Sequence, residues 1–208
     1  MTEDEAKAAL DARVSRETMD RLELYAALLA KWQKTINLIS PATLPLLWSR
    51  HMLDSAQLMD HIPPGATTWL DLGSGGGFPG LVCAAIAVET HPKMKVNLVE
   101  ADLRKAAFLR ETARQMDLSV GVFSRRIEDL PPQQADVISA RALAALPALC
   151  TYAQRHLTPD GVALFQKGAR YAEELESARL GWQMEVTVIP SVTDAEAVLL
   201  RIERLTHA

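Results

Sequence analysis

Hydrophobic residues recur every three or four positions in the first part of the chain. The residues with this spacing are Met19, Leu22, Tyr25, Leu28, Leu29 and Trp32. A repeat of this kind places side chains on one face of an α-helix. We therefore predict a helix over 15–34, with Ser15 as its N-cap.

A second helix is predicted over 43–60, where bulky hydrophobic residues are again frequent. The segment Ile62-Pro63-Pro64-Gly65 should end this helix, because proline and glycine interrupt regular structure. We expect a helical N-terminal extension over 1–64 and a second unit over 65–208.

After Gly65 the pattern changes to short apolar runs that alternate with amphipathic segments. Strands are predicted over 67–72, 95–100, 119–123, 135–140 and 161–166. Helices are predicted over 79–89, 102–116, 143–156 and 170–180. Such alternation indicates a parallel sheet covered by helices on both faces. Two further strand-like stretches, 182–190 and 196–205, should form a closing antiparallel hairpin. The predicted fold class is a Rossmann-like α/β fold with a seven-stranded, mostly parallel sheet.

The composition is that of a soluble globular protein, with 208 residues, 49% hydrophobic and 23% charged. No apolar run approaches the roughly 18 residues that a membrane-spanning helix needs. The acidic N-terminus does not resemble a signal peptide. Cys83 and Cys150 lie far apart and form no CxxC motif, so we expect neither a disulfide framework nor a metal site. These features together predict a cytoplasmic protein.

The charges are unevenly distributed, although the net charge is only −4. Residues 93–170 carry 12 basic and 8 acidic side chains, whereas both flanking regions are net acidic. A basic central region is compatible with a surface that faces a polyanion. A mixed, solvated surface explains the same distribution equally well.

The strongest local signal is the run Asp71-Leu72-Gly73-Ser74-Gly75-Gly76-Gly77-Phe78-Pro79-Gly80 between a predicted strand and helix. Glycine is needed where the backbone turns sharply and a ligand approaches closely. The spacing of Gly75, Gly77 and Gly80 also satisfies the pattern of dinucleotide-binding folds. A nicotinamide dehydrogenase and a purely structural turn therefore remain alternatives.

Two carboxylates favour a different ligand. Asp71, at the end of the first strand, would repel a pyrophosphate but could bind a cationic amino group. Glu100 ends the second strand, where a carboxylate can accept hydrogen bonds from both ribose hydroxyls. The Asp-x-Gly-x-Gly pattern followed by this acid resembles the class I S-adenosylmethionine-dependent methyltransferases.

Other candidate residues lie in the N-terminal extension and after the third strand. His51 and Asp54 share one helix face, either as part of a lid over the cofactor or as a pair that packs the helix. Arg125 and Arg126 follow the third strand, and the loop there either lies beside an adenine or is a solvated turn.

Two basic residues end later strands of the predicted sheet, where α/β proteins hold their ligands. Arg141 follows the fourth strand and needs a partner such as a carboxylate, a phosphate or a base. A buried salt bridge to Asp136 or Glu128 is the alternative. Lys167 ends the fifth strand and should point at the same crevice.

Several of these segments together resemble one family, the bacterial 16S rRNA guanine-N7 methyltransferases, also called glucose-inhibited division protein B. The similar segments are Asn37-Leu38, Arg50-His51-Met52-Leu53-Asp54-Ser55, the glycine run 71–80, Arg104–Leu109, Arg126-Ile127-Glu128, Ala140-Arg141-Ala142 and Lys167-Gly168. The resemblance spans roughly residues 20–205. The chain departs from the family at Ser40 and at Arg125-Arg126-Ile127-Glu128, where threonine and Gly-Arg-Ala-Glu are usual.

The resemblance implies methyl transfer from S-adenosylmethionine to N7 of a guanine in 16S rRNA of the small ribosomal subunit. It implies that the cofactor contacts Gly73, Phe78, Ile127, Glu128 and Arg141. With the residues argued above, the expected cofactor set also includes Asp71, Gly75 and Glu100.

The expected catalytic residues, which would position or polarise the base, are Arg141, Lys167, His51 and Asp54. Arg125, Arg126 and Lys105 are expected to contact RNA. We further expect a monomer without metal or membrane association. A methyltransferase of small molecules or proteins and a cofactor-binding regulator without turnover remain alternatives.

Overall fold

The computed structural model describes all 208 residues and is built around one seven-stranded sheet. The strands are β1 Thr68–Leu72, β2 Lys95–Val99, β3 Val120–Phe123, β4 Ala135–Arg141, β5 Leu157–Lys167, β6 Trp182–Pro190 and β7 Val198–His207. Their spatial order is β3-β2-β1-β4-β5-β7-β6. Strands β1 to β5 are parallel, and β7 pairs antiparallel with both β5 and β6. The predicted mostly parallel sheet with a closing antiparallel pair is confirmed.

Helices cover both faces of this sheet. They are α1 Glu3–Asp11, α2 Arg16–Trp32, α3 Asp54–Ala56, α4 Gly80–Thr90, α5 Leu103–Gln115, α6 Leu146–His156 and α7 Tyr171–Arg179. The predicted helices over 15–34, 79–89, 102–116, 143–156 and 170–180 match α2 and α4 to α7, with small differences at their ends. The short α1 was not predicted, although Thr2 and Glu5 form a capping box at its start.

The prediction of one continuous helix over 43–60 is wrong. The segment 41–61 instead joins a 3₁₀ turn, Pro41–Leu46, to a π-helical turn, Trp48–Leu53, which is followed by α3 and a second 3₁₀ turn, Gln57–His61. Pro45 lacks a backbone N–H and therefore cannot take part in a regular α-helical ladder. The result is an irregular segment that contacts the carboxyl ends of β4 and β5 through Arg141 and Gln166.

The core has two parts, one on each face of the sheet. The first contains buried residues of α1, α2, segment 41–61, α4 and α5, among them Tyr25, Met52, Leu81 and Phe108. The second lies under α6 and α7. Because residues on both sides of Gly65 contribute to the first part, the N-terminal helices pack directly on the sheet domain. No helix in the structure has the length and apolar character required to span a bilayer.

Candidate cofactor and substrate cleft

A cavity of about 940 Å³ opens at the carboxyl ends of the parallel strands. Segment 41–61 and the loop between β6 and β7 form its other walls. The predicted site residues that line it are His51, Asp54, Gly73, Gly75, Phe78, Glu100, Lys105, Arg125, Arg126, Ile127, Glu128, Arg141 and Lys167. The structure thus brings together every predicted site residue except Asp71.

The glycine loop forms the floor of the cleft, and its backbone requires glycine. Gly73 and Gly75 have φ angles of +62° and +53°, which L side chains rarely adopt. A Cβ atom at Gly75 would meet no atom closer than 3.8 Å, so it would project into open space beside the cleft. The loop therefore leaves room for a ligand to approach its backbone.

Glu100 holds this loop in place. One carboxylate oxygen accepts a hydrogen bond from the Gly75 amide at 2.8 Å, and the other accepts one from the Asp102 amide at 2.7 Å. A carboxylate offers about four acceptor positions. Glu100 can therefore brace the loop and still accept hydrogen bonds from ligand hydroxyls.

Asp71 ends β1 as predicted, but its side chain is fully buried. Its Oδ1 accepts a hydrogen bond of 2.6 Å from Ser139, which itself accepts one from the Trp69 indole. Its Oδ2 lies close to Gly80 and has no hydrogen-bond partner. The expectation of direct cofactor contact is corrected here, because this carboxylate lies between β4 and the start of α4 rather than on the cleft surface.

Burial also alters the ionisation of Asp71. Removal from water raises the pKa of this carboxyl to about 6, and the hydrogen bond from Ser139 only partly offsets that rise. Asp71 is therefore a buried structural acid behind the loop.

Arg141 links the end of β4 to segment 41–61. Its Nη1 donates to the Arg50 carbonyl oxygen at 2.8 Å, and its Nη2 donates to His51 Nδ1 at 2.6 Å. Neither predicted salt-bridge partner is used: Asp136 accepts from Thr67 and Thr68, and Glu128 accepts from Tyr152. The nearest carboxylate is Asp54, 3.8 Å from Nη1.

The contact with Arg141 fixes the protonation state of His51. A guanidinium can only donate, so Nδ1 of His51 accepts and Nε2 carries the proton. Nε2 lies 2.9 Å from Thr43 Oγ1, and this hydroxyl oxygen accepts a hydrogen bond from the Nε2–H group. Burial and the positive charges of Arg141 and Arg50 lower the pKa of His51 to about 3. His51 is thus neutral, with both ring nitrogens occupied.

Phe78 forms an aromatic surface below these groups. Its ring centroid lies 4.9 Å from that of His51 and 5.1 Å from that of Tyr25. The Arg141 guanidinium carbon lies 5.1 Å from the same centroid, a cation–π geometry. Phe78 therefore supports both side chains from one side.

Asp54 and His51 share the same segment, but no hydrogen bond joins them. Asp54 instead accepts hydrogen bonds from Gln57 at 2.7 Å and Gln166 at 2.5 Å, and from Ser191 and Thr193 at longer distances. Burial raises the pKa of Asp54, whereas Arg141 and the two hydroxyl groups lower it. This carboxylate joins segment 41–61 to β5 and to the loop between β6 and β7.

Lys167 lies at the cleft, as predicted, but its ammonium group has a partner. Nζ lies 2.6 Å from a carboxylate oxygen of Glu174 and donates to the Ala144 carbonyl at 3.0 Å. Because Glu174 neutralises this charge locally, Lys167 is not a free cation aimed at a substrate.

The residues after β3 form the opposite wall of the cleft. Ile127 is buried, whereas the neighbouring Glu128 accepts a hydrogen bond of 2.6 Å from the Tyr152 hydroxyl, which lowers the pKa of Glu128. Arg125 and Arg126 are exposed at the rim. Lys105 lies on the first turn of α5 at the same opening.

Several residues that line the cleft or hydrogen-bond to its side chains were missed by sequence reasoning. They are Thr43, Gln57, Gln166, Glu174, Ser191 and Thr193. Each is an ordinary polar residue outside any motif, and only the fold brings it near a motif residue. No set of three or more His, Cys, Asp or Glu side chains in the structure is arranged to hold a metal ion.

The donor and acceptor groups that line the cleft suit S-adenosylmethionine. Glu100 offers acceptors for ribose hydroxyls, and the wall at Ile127 and Glu128 offers backbone groups for the edge of the adenine. The open space beside the backbone of Gly75 suits the close approach of the methionine portion. The strand order and this glycine loop define a class I S-adenosylmethionine-dependent methyltransferase.

The family model for rRNA small subunit methyltransferase G matches residues 18–200, so the chain belongs to that family. Two similar proteins carry the name ribosomal RNA small subunit methyltransferase G. The one from Jannaschia sp. (strain CCS1) is 59% identical over 97% of this chain and 95% of its own length. The one from Cereibacter sphaeroides (strain ATCC 17025 / ATH 2.4.3) is 54% identical over the full length of both.

Solved structures show the same fold at low sequence identity. An S-adenosylmethionine-dependent methyltransferase from Aquifex aeolicus has a TM-score of 0.58 and 16% identity, covering 84% of this chain and 96% of that one. The T. thermophilus 16S rRNA N2 G1207 methyltransferase has a TM-score of 0.56 and 14% identity, covering 75% and 40%. At these identities the likeness concerns the fold alone.

Proposed function

We propose that this protein transfers the methyl group of S-adenosylmethionine to N7 of a guanine in 16S rRNA of the small ribosomal subunit. Membership of the rRNA small subunit methyltransferase G family supports the substrate class. One observation supports a ring nitrogen of guanine as the methyl acceptor. The titratable side chains at the centre of the cleft are already held by hydrogen bonds or ion pairs.

Methylation at different guanine positions makes different demands on a site. An exocyclic amine loses a proton during methylation, so its enzyme benefits from a base. Guanine N7 has a free lone pair and no proton, so it needs none. In this cleft both nitrogens of His51 are occupied, Asp54 accepts several hydrogen bonds, and Lys167 is paired with Glu174. This arrangement suits N7.

The protein's contribution is then mainly geometric. The cofactor supplies an activated methyl group on a sulfonium. Gly73, Gly75 and Glu100 hold the cofactor from one side, and Ile127 and Glu128 hold it from the other. Holding the reactants in line can lower the barrier by about 7–11 kcal/mol in favourable cases.

We assign to Arg141 the role of donating hydrogen bonds to the guanine base or to the carboxylate of the cofactor. Its two terminal nitrogens donate to the Arg50 carbonyl and to His51, which fixes the plane of the guanidinium. Its remaining N–H groups can donate to guanine O6, which lies beside N7 on the major-groove edge. His51 and Asp54 act as positioning residues, and Lys167 supports the rim through Glu174.

The rim of the cleft carries the RNA-binding candidates. Arg125, Arg126 and Lys105 lie near its opening, where they can contact phosphates without entering the site. This placement favours a polyanionic substrate over a small molecule or a protein. We further propose that the protein works as a monomer in the cytoplasm.

Incubation with methyl-labelled S-adenosylmethionine and small subunits that lack the modification tests this function. We expect label in 16S rRNA and none in ribosomal proteins. Naked 16S rRNA and a mixture of small metabolites serve as parallel substrates. Label confined to protein or to a small molecule would instead support the alternative methyltransferase, and cofactor binding without any transfer would support a regulator.

A further inference from the structure

The N-terminal helix α1 contacts the cleft wall through one carboxylate. Glu3 accepts hydrogen bonds from the backbone amides of Trp48 at 2.7 Å and Ser49 at 3.0 Å. It also accepts a hydrogen bond from the Ser49 hydroxyl. These contacts join residues 45 or more positions apart in the chain.

The two amides belong to the first turn of the π-helical segment Trp48–Leu53. Amides at the start of a helical segment have no acceptor within it, so a side chain usually satisfies them. The preceding residue, Leu47, cannot do so, and no cap within the segment is present. Glu3 therefore acts as the cap, although it comes from a different helix.

The capped turn is the one that holds Arg141. Arg50 and His51 directly follow Ser49, and both accept hydrogen bonds from the Arg141 guanidinium, at 2.8 and 2.6 Å. A continuous path of hydrogen bonds and backbone thus leads from Glu3 through Ser49 to the cleft. Any displacement of this turn would move the acceptors that orient Arg141.

Helix α1 is itself anchored, so it can serve as a fixed support. Leu10 and Ala6 are fully buried, and the Lys7 ammonium lies 5.1 Å from the centroid of the Trp48 ring. The helix lies outside residues 18–200, the part of the chain that the family model matches. The family match therefore does not cover the contact between α1 and the cleft wall.

We propose that Glu3 is a positioning residue for methyl transfer, which keeps residues 48–51 in the arrangement that orients Arg141. The rate measurement that tests this inference rests on the proposed function. The effect of Glu3 on cofactor affinity can be measured without any RNA.

The test compares Glu3→Ala with two controls on the same turn of α1. Asp4→Ala removes the same charge from an exposed side chain that makes no hydrogen bond or ion pair. Glu5→Ala breaks the capping box with Thr2 and so destabilises α1 without touching residues 48–51. Methyl transfer to small subunits, calorimetric affinity for S-adenosylmethionine and thermal melting are measured for each variant.

We expect Glu3→Ala to lower kcat/KM roughly tenfold, because small displacements of positioned groups reduce rates steeply. Cofactor affinity should fall as well. At assay temperatures well below their melting temperatures, Asp4→Ala and Glu5→Ala should keep near-normal rates. Glu3→Gln, which keeps one acceptor oxygen, should recover part of the loss. It also serves as the folded test variant if the alanine variant does not fold.

Equal rates and affinities for Glu3→Ala, Asp4→Ala and the unaltered protein would overturn the inference. So would equal losses in Glu3→Ala and Glu5→Ala, because the effect would then come from α1 stability alone. Failure of the unaltered protein to methylate small subunits would instead overturn the proposed function, and cofactor affinity would still decide the role of Glu3.

Discussion

Arg141 and His51 are joined by a hydrogen bond of 2.6 Å between Nη2 and Nδ1, which connects the end of β4 to segment 41–61. The bond makes each residue dependent on the other: His51 orients the guanidinium, and Arg141 keeps the imidazole neutral. His51 is therefore a poor general base in this structure, because its acceptor nitrogen is already used. The pair is a binding and positioning unit.

Replacement of Arg141 should separate a functional role from a structural one. We expect Arg141→Ala to reduce methyl transfer roughly 10²–10³-fold, the loss typical of a donor that stabilises or orients the reacting group. Arg141→Lys should restore little, because an ammonium cannot donate to Arg50 and His51 in the same plane. Single-turnover rates and thermal melting would measure both effects.

A matched control for Arg141 is Arg21, which donates to the Met116 carbonyl away from the cleft. Arg21→Ala should leave methyl transfer almost unchanged. If Arg141→Ala is fully active, or if its only defect is unfolding, the assignment of this residue to ligand binding is wrong.

Gly75→Val should abolish cofactor binding. The substitution places a side chain beside the cleft at a backbone φ of +53°, so it both strains the loop and fills space meant for the ligand. Gly65→Val provides the control, since Gly65 also has a positive φ, +80°, but lies outside the cleft. Calorimetry with S-adenosylmethionine should show binding only for the control, and normal affinity in a folded Gly75→Val variant would refute this site.

Asp71 should make stability depend on pH. Its pKa rises from the ordinary value of 3.8 to about 6 on folding, so between these values the folded protein holds a proton that the unfolded chain has released. The contribution of Asp71 to stability therefore decreases as the pH rises from about 4 to about 6, by up to about 3 kcal/mol.

Urea denaturation of Asp71→Asn at pH 4.5 and pH 7 would measure this effect. Relative to the unaltered protein, the variant should gain stability at the higher pH. Asp136→Asn is the control, because hydrogen bonds from Thr67 and Thr68 outweigh burial and lower the pKa of Asp136. The control should show little change between these two pH values, and an equal response of both variants would contradict the burial of Asp71.

Arg125 and Arg126 should contribute to RNA binding through phosphate contacts. If each neutralises one phosphate, its replacement by Gln should reduce the slope of log affinity against log salt by about 0.7–0.9. Arg204→Gln is a suitable control, because Arg204 is paired with Glu185 near the sheet edge and lies outside the cleft. Association with small subunits that does not depend on salt would contradict this role.

The sheet could be predicted from the sequence because its strands are short apolar runs between amphipathic helices. Segment 41–61 could not, since its hydrophobic residues have helical spacing and only Pro45 hints at irregular geometry. Helix α1 was missed although the Thr2–Glu5 capping box was visible, because so short a helix has a weak periodicity.

The sequence could place residues at the cleft where a motif met the end of a strand, as at Gly75, Glu100 and Arg141. The site was predicted poorly where the outcome depended on side-chain direction. Strand position alone could not tell that Asp71 turns into the core, or that Glu174 on α7 pairs with Lys167. Such pairings arise from the packing of distant elements, which local sequence does not encode.

The position of the transferred methyl group tests the central claim most directly. Small subunits lacking the modification are incubated with the protein and labelled S-adenosylmethionine, and their 16S rRNA is digested to nucleosides for mass spectrometry. The account predicts label in 7-methylguanosine and in no other nucleoside, and its near absence with Arg141→Ala. Label in N2-methylguanosine or in a ribose methyl group would contradict it, because those sites carry a proton that this cleft has no free base to remove.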